Sequence, residues 1–159
     1  MNTTVSNPVI TSEDLLLHWQ GHRGLTRRMI EKFPEKEFFT FNVGGMRTCA
    51  VLMQELIAIA VPGLRQIVMN TTEPLKEDLQ FTSKAQFLTR WDEDTEEINR
   101  LWALLPDEKF QERIKTFGQY ESTIWWSIFY SIDNEIHHRA QAYVYLRALG
   151  IEPPHFWER

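Results

Sequence analysis

From Glu121 to Leu149 the chain runs 29 residues without a glycine or a proline, then meets Gly150 and Pro153-Pro154. An uninterrupted stretch of that length, closed by a residue suited to the left-handed C′ position and followed by helix breakers, predicts one long helix. The rest of the chain is punctuated the same way. A first helix is predicted to start at Ser12, with Glu13 and Asp14 in its first turn, and to run through LLLHWQGHRGLTRRMIEKF to Pro34. Leu15, Leu25 and Met29 fall on one side of it at helical spacing. Residues 35–45 read as a loop ending in Gly44-Gly45. A second helix, MRTCAVLMQELIAIAV, meets Pro62, and Pro62-Gly63 is expected to kink or end it, with LRQIVMN as a continuation. Residues 70–82 read as a polar connection. A third helix is predicted to start at Ser83 and to stop at Pro106; its acidic middle, DEDTEE, is expected to be solvated. A short helix, DEKFQERI, and a turn at Gly118 lead into the long last helix. Four long helices predict an all-α fold, a four-helix bundle. The long 70–82 connection argues against the simplest up-down-up-down order.

Composition narrows the function. A chain of 159 residues suits one domain, with residues 1–11 expected to form a flexible extension. Its 22 acidic and 17 basic residues leave a formal charge of −5. With no basic run, duplex DNA is a poor partner, because such binding is dominated by phosphate neutralisation. The one cysteine, Cys49, excludes an intrachain disulfide and a multi-cysteine zinc site. The absence of an apolar run of about 18 residues, and of a basic-then-apolar start, leads to the expectation of a cytoplasmic protein without a membrane span.

At about 100° per residue, Ser127, Ser131, Asn134, His138, Gln141 and Tyr145 fall within roughly 80° of one another on the last helix. The strip holds no Lys, Glu or Arg. It is compatible with a water-facing side or with a wet cleft inside the bundle. Asn134 and His138 are one turn apart and could reach one ion, although most such pairs are structural hydrogen bonds. On the second helix, Glu55 is the odd carboxylate in the stripe Thr48, Leu52, Glu55, Ile59. A carboxylate among aliphatic residues is expected to be neutral, paired with an arginine, hydrogen-bonded or metal-bound. His18 and His22, also one turn apart, are candidate ligands, proton carriers or hydrogen-bonded histidines of a helix interface.

The segment DNEIHHRAQAYVYLRALGIEPP resembles the signature of the bacterial DinB/YfiT-like family. His138-Arg139, Gln141, Tyr145-Leu146-Arg147, Gly150 and Pro153-Pro154 match it, and MRT…LMQEL resembles the family's second helix. The resemblance implies a four-helix bundle, usually a homodimer. In that family three histidines, one on helix two and two on the last helix, hold a divalent metal in a cleft. It includes thiol-dependent transferases and isomerases using bacillithiol or mycothiol, damage-inducible proteins and metal-dependent hydrolases. Two of the three histidine positions fall here on Glu55 and Asn134, and only His138 remains; Ala140 stands where the pattern has glycine. The implied metal set is therefore Glu55, Asn134 and His138, for Zn, Ni, Mn or Fe, or with the ion lost.

Three readings follow. In the first, a metal-dependent hydrolase or thiol-dependent transferase works on a small molecule, with Gln141, Ser131 and Tyr145 orienting it and His18 or His22 carrying the proton. In the second, the cleft binds a small ligand without chemistry. In the third, the chain is a structural dimer whose surplus aromatics, Trp125, Trp126, Phe129 and Tyr130, pack at an interface, with Phe156 and Trp157 as a further contact.

Overall fold

A computed structural model describes residues 8–159; part of the expected N-terminal extension lies outside them. Helix α1 spans Ser12–Lys32. Its N-cap is Thr11, one residue before the serine read as the cap. The Thr11 hydroxyl accepts from the Asp14 backbone N–H at 3.0 Å and the Asp14 carboxylate takes the Thr11 N–H at 3.2 Å, a reciprocal capping box. Leu15, Leu25 and Met29 are buried. A short helix α2 (Glu35–Thr40) stands where a loop is expected. Phe38 is fully buried against Phe33, Phe39 and Phe87, so aromatic burial orders a segment that its sequence leaves open. Gly44 and Gly45, with φ of 60° and 76°, then turn the chain.

Helix α3 spans Cys49–Met69 and continues through Pro62. Its mostly buried surface supplies the packing that outweighs the roughly 3 kcal/mol cost of an internal proline. An 18-residue window of α3 has mean hydropathy 1.4, apolar enough to cross a membrane, but 61% of it is buried against the other elements, as in a core helix. Asn70, with φ of 51°, ends it in the left-handed conformation. Residues 70–82 carry no helix or strand.

Helix α4 spans Lys84–Trp102, capped by Ser83, whose hydroxyl accepts from the Gln86 N–H at 3.3 Å while the Gln86 side chain takes the Ser83 N–H at 3.2 Å. Glu35 also accepts from the Lys84 N–H at 2.9 Å. Ser83→Ala is expected to cost about 1 kcal/mol in urea unfolding; an unchanged midpoint would show that Glu35 alone holds the helix start. The acidic middle of α4 is not solvated throughout. Asp94 turns inward, is buried, and takes Arg90 at 2.7 Å.

After a 3₁₀ helix at Asp107–Gln111, where a short helix is expected but with its last residues taken into a strand, β1 (Arg113–Thr116) and β2 (Tyr120–Thr123) form an antiparallel hairpin with Arg113 opposite Thr123 and Thr116 opposite Tyr120. The hairpin is absent from the sequence-based reading. Two isolated strands are marginal in water, and this pair is held by α3. The buried Gln66 side chain accepts from the Phe117 N–H at 2.8 Å, and the Phe117 ring lies 3.6 Å from where a Cβ on Gly63 would stand. Helix α5 spans Ile124–Ala148. Gly150 (φ 76°) and the bond from the Ile151 N–H to the Leu146 carbonyl at 2.8 Å close it in a Schellman motif.

Helices α1 and α3 each pack against both α4 and α5, which places α1 and α3 at opposite corners of the bundle. The core is in two apolar halves. One gathers Met29, Phe33, Leu52, Met53, Phe87 and Tyr145, the other Trp19, Val61, Leu64, Ile98, Trp102 and Ile128. Between them, buried Arg23, Thr26, Asp94, Glu135 and Arg139 form a polar belt. Glu135 and Arg139 are therefore interior residues on the side of α5 away from the strip.

Candidate functional site

All six residues of the α5 strip lie inside or at the edge of the bundle. His138 and Tyr145 are buried; Ser127, Ser131, Asn134 and Gln141 are half-buried. The strip faces α3, and Glu55 of that helix reaches it. His138 Nε2 lies 3.1 Å from Glu55 Oε1, and the Asn134 side-chain amide donates to the same oxygen at 3.2 Å. Arg47 donates to Glu55 Oε2 at 2.5 Å. His138 Nδ1 lies 2.8 Å from Gln141 Oε1. The Tyr145 hydroxyl donates to the Arg47 carbonyl at 2.8 Å and so fixes the segment from which Arg47 reaches in. The structure thus brings together Glu55, Asn134, His138 and Gln141, with Glu55 and His138 meeting across 83 residues of chain. Arg47 was not read as a site residue. Its signal is its place in the turn before Thr48, the N-cap of α3, two helical turns ahead of Glu55.

Burial works to raise the Glu55 pKa, but the hydrogen bonds from Arg47, then His138 and Asn134, hold it below the usual glutamate value. Ionised Glu55 can only accept, so its bond to His138 requires a proton on Nε2. Cys49 is buried, and burial pushes its thiol pKa up, which removes it as a nucleophile.

These residues fit a resident divalent ion poorly. A ligand imidazole needs a free lone pair on the nitrogen facing the metal. Here that nitrogen faces a carboxylate oxygen, the Asn134 amide also donates to that oxygen, and a guanidinium covers the other. Among the described residues, no three His, Cys, Asp or Glu side chains are placed to share an ion. Arg47 supplies the positive charge beside Glu55.

His18 and His22 lie elsewhere. His18 is exposed on α1. His22 is buried between α1 and α5, where its Nδ1 sits 2.8 Å from Arg139 Nη2 and its Nε2 3.3 Å from Arg159 Nη1. Burial, then the charge of Arg139, lowers the His22 pKa to about 3. As a neutral imidazole it accepts on Nδ1 from Arg139, on the side of α5 away from the cleft, which unsuits it as a proton carrier in the cleft.

Beside the cluster, a cavity of about 400 Å³ opens between α3, the hairpin and the first turns of α5. Ile59 and Ser131 in its wall follow Glu55 and precede Asn134 by about one turn each. Trp126, Tyr120 and Tyr130, each more than half exposed, and buried Phe117 supply rings to its wall. The sequence pointed to surplus aromatics on α5 but not to this cavity, because a third of its lining residues come from the hairpin.

The bundle has counterparts among solved structures. A DinB-like protein from Bacillus cereus ATCC 10987 superposes with a TM-score of 0.72 at 16% identity, over 91% of this chain and 97% of that one. A DinB-like protein from Bacillus subtilis, YjoA, gives 0.73 at 18% identity, over 91% and 99%. At such identities the likeness is one of fold. A comparison with curated proteins finds no match. The sequence model of the DinB family matches residues 1–159, the chain's full span, and on that match the protein belongs to the DinB family.

Proposed function

We propose that this is a small-molecule-binding DinB-family protein whose cleft is organised by the Arg47–Glu55–His138 cluster in place of a resident metal. The observation that carries the reading is the full engagement of Glu55: a guanidinium on Oε2, and an imidazole and an amide on Oε1. A half-buried carboxylate with these partners is a satisfied polar anchor. It adjoins, one helical turn from Ile59 and Ser131, a cavity with a predominantly apolar wall, the usual composition of a small-ligand site.

A second reading, a metal-dependent hydrolase or transferase that uses a low-molecular-weight thiol, is favoured by one feature. Gln141 Oε1 stands 2.8 Å from His138 Nδ1, where the outer partner of a metal-bound imidazole would stand. That reading requires Arg47 to leave Glu55 and Nε2 to lose its proton.

Elemental analysis separates the two. Tag-free protein, incubated with Zn, Ni or Mn and then desalted, is expected to hold far less than one ion per chain, with no difference between wild type and His138→Ala. About one ion per chain, lost in His138→Ala, would overturn the metal-free reading and favour the enzyme.

A further inference from the structure

Taking the cleft as a small-molecule site, we propose that the cavity beside the Glu55 cluster selects a protonated organic amine with an aryl or alkyl body, its ammonium held among Trp126, Tyr120 and Tyr130 next to the carboxylate of Glu121. Charge complementarity carries the assignment. No Lys, Arg or His lines the cavity, and Glu121 is the one charged residue in its wall. Arg47, the nearest cation along the strip, is spent on Glu55. Arg113 pairs with Glu121 at 3.2 Å, but both side chains are mostly exposed, and such a surface pair screens weakly.

Trp126 and Tyr120 present exposed ring surface at the mouth, and Phe117 packs edge-on to Tyr120 with ring centroids 6.5 Å apart. A cation over such rings gains roughly 0.5–2 kcal/mol, more as it is desolvated. The competing feature is the first turn of α5, which adjoins the cavity at Ser127 and, like any helix start, favours anions. That effect is about 0.3–1 kcal/mol at an exposed end. The three rings and the Glu121 carboxylate outweigh it. Below the mouth, Ser127, Ser131 and Gln119 offer oxygens that accept from an ammonium, while Ile59, Leu64 and Ile67 take an apolar body.

The test uses three probes of one shape and different head charge: 4-phenylbutylamine, 4-phenylbutanol and 4-phenylbutyrate, titrated calorimetrically into the full chain near neutral pH, where the alkylamine is protonated. The amine is expected to bind about tenfold tighter than the alcohol, with the butyrate weakest. Trp126→Leu, at an exposed position that does not carry the core, is expected to cut the amine's advantage about threefold while leaving alcohol binding within twofold. Equal binding of amine and alcohol, or tightest binding of the butyrate, overturns the amine assignment and leaves the small-molecule reading standing. Failure of all three to bind at millimolar concentration overturns both.

Discussion

Glu135→Ala is expected to destabilise the fold by about 3–5 kcal/mol, a large share of the stability of a domain this size. Glu135 is 2% exposed and lies inside the polar belt. Thr26 donates its hydroxyl to Oε1 at 2.6 Å, and the guanidinium groups of Arg139 and Arg23 lie 3.7 Å and 3.9 Å from the carboxylate. Burial pushes the Glu135 pKa up, against the pull of Arg23 first. The two arginines cannot follow the lost charge into water. Arg23 is 1% exposed, stacks on the Trp91 ring at 3.8 Å and donates to Thr95 Oγ1 at 2.7 Å and the Trp91 carbonyl at 3.0 Å. Arg139 is tied to Thr26 at 2.9 Å and to the His22 carbonyl at 3.2 Å. Removing the carboxylate leaves two buried cations facing each other, whereas exchanging the whole trio for apolar residues of similar volume is expected to cost little. Urea unfolding followed by tryptophan fluorescence reads the difference. A loss below about 1 kcal/mol for Glu135→Ala would mean that water reaches the belt and screens it.

The second large effect is in acid. His22 in the folded chain has its pKa lowered to about 3 from an ordinary value of 6.5. Between those values the unfolded chain binds a proton on His22 that the folded chain refuses, so stability rises with pH there and falls on acidification. In the window from pH 6.5 down to about 5 the lowered carboxylates, Glu55 and Glu97, still hold their contributions, while Glu135 and Asp94, whose pKa burial raises, act with the opposite sign, so the His22 share is read as the difference from a variant that cannot titrate there. Over that window the loss is expected to be about 1–2 kcal/mol. His22→Gln keeps an oxygen to accept from Arg139 and cannot be protonated. Its unfolding free energy, compared with wild type at each pH, is expected to flatten in the window. Parallel wild-type and variant curves would show that His22 titrates alike in both states.

The neutral histidine and the belt carboxylate have a common origin. In α5 the strip faces α3 and the opposite side, with Glu135 and Arg139, faces α1, so the helix is buried on two sides and its polar residues divide between them. One set, Asn134, His138 and Gln141, meets Glu55 beside the cavity. The other meets Arg23, Thr26 and His22 and joins the two apolar halves of the core. Periodicity identified the first set. The second shows no sign in the sequence, because a buried glutamate and a solvated one are written alike.

Helix starts and stops were legible because they are local. Ser83 and Gln86, Gly150 and the prolines after it, and the breaks at Pro34 and Gly44-Gly45 act on backbone groups within a few residues. Thr11 in place of Ser12 is a one-residue miss of the same kind. Pro62 was undecidable locally: a helix there loses about 3 kcal/mol, and only the burial of α3 tells whether that is recovered. Helix α2 and the hairpin were missed because each is stabilised by what it lies on, Phe38 in an aromatic cluster and Phe117 on α3.

The sequence by itself determined the four long helices, the bundle class, the polar strip on α5 with Asn134, His138 and Gln141, and Glu55 as the odd carboxylate of an apolar stripe. The tertiary structure alone decided that Arg47 takes the second oxygen of Glu55, that His22 belongs to the belt and not to the cleft, and that the hairpin completes a cavity. Backbone capping and helical period are set by neighbours within about four residues. The partner of a charged side chain is set by which helices meet, and Glu55 and His138 meet across 83 residues.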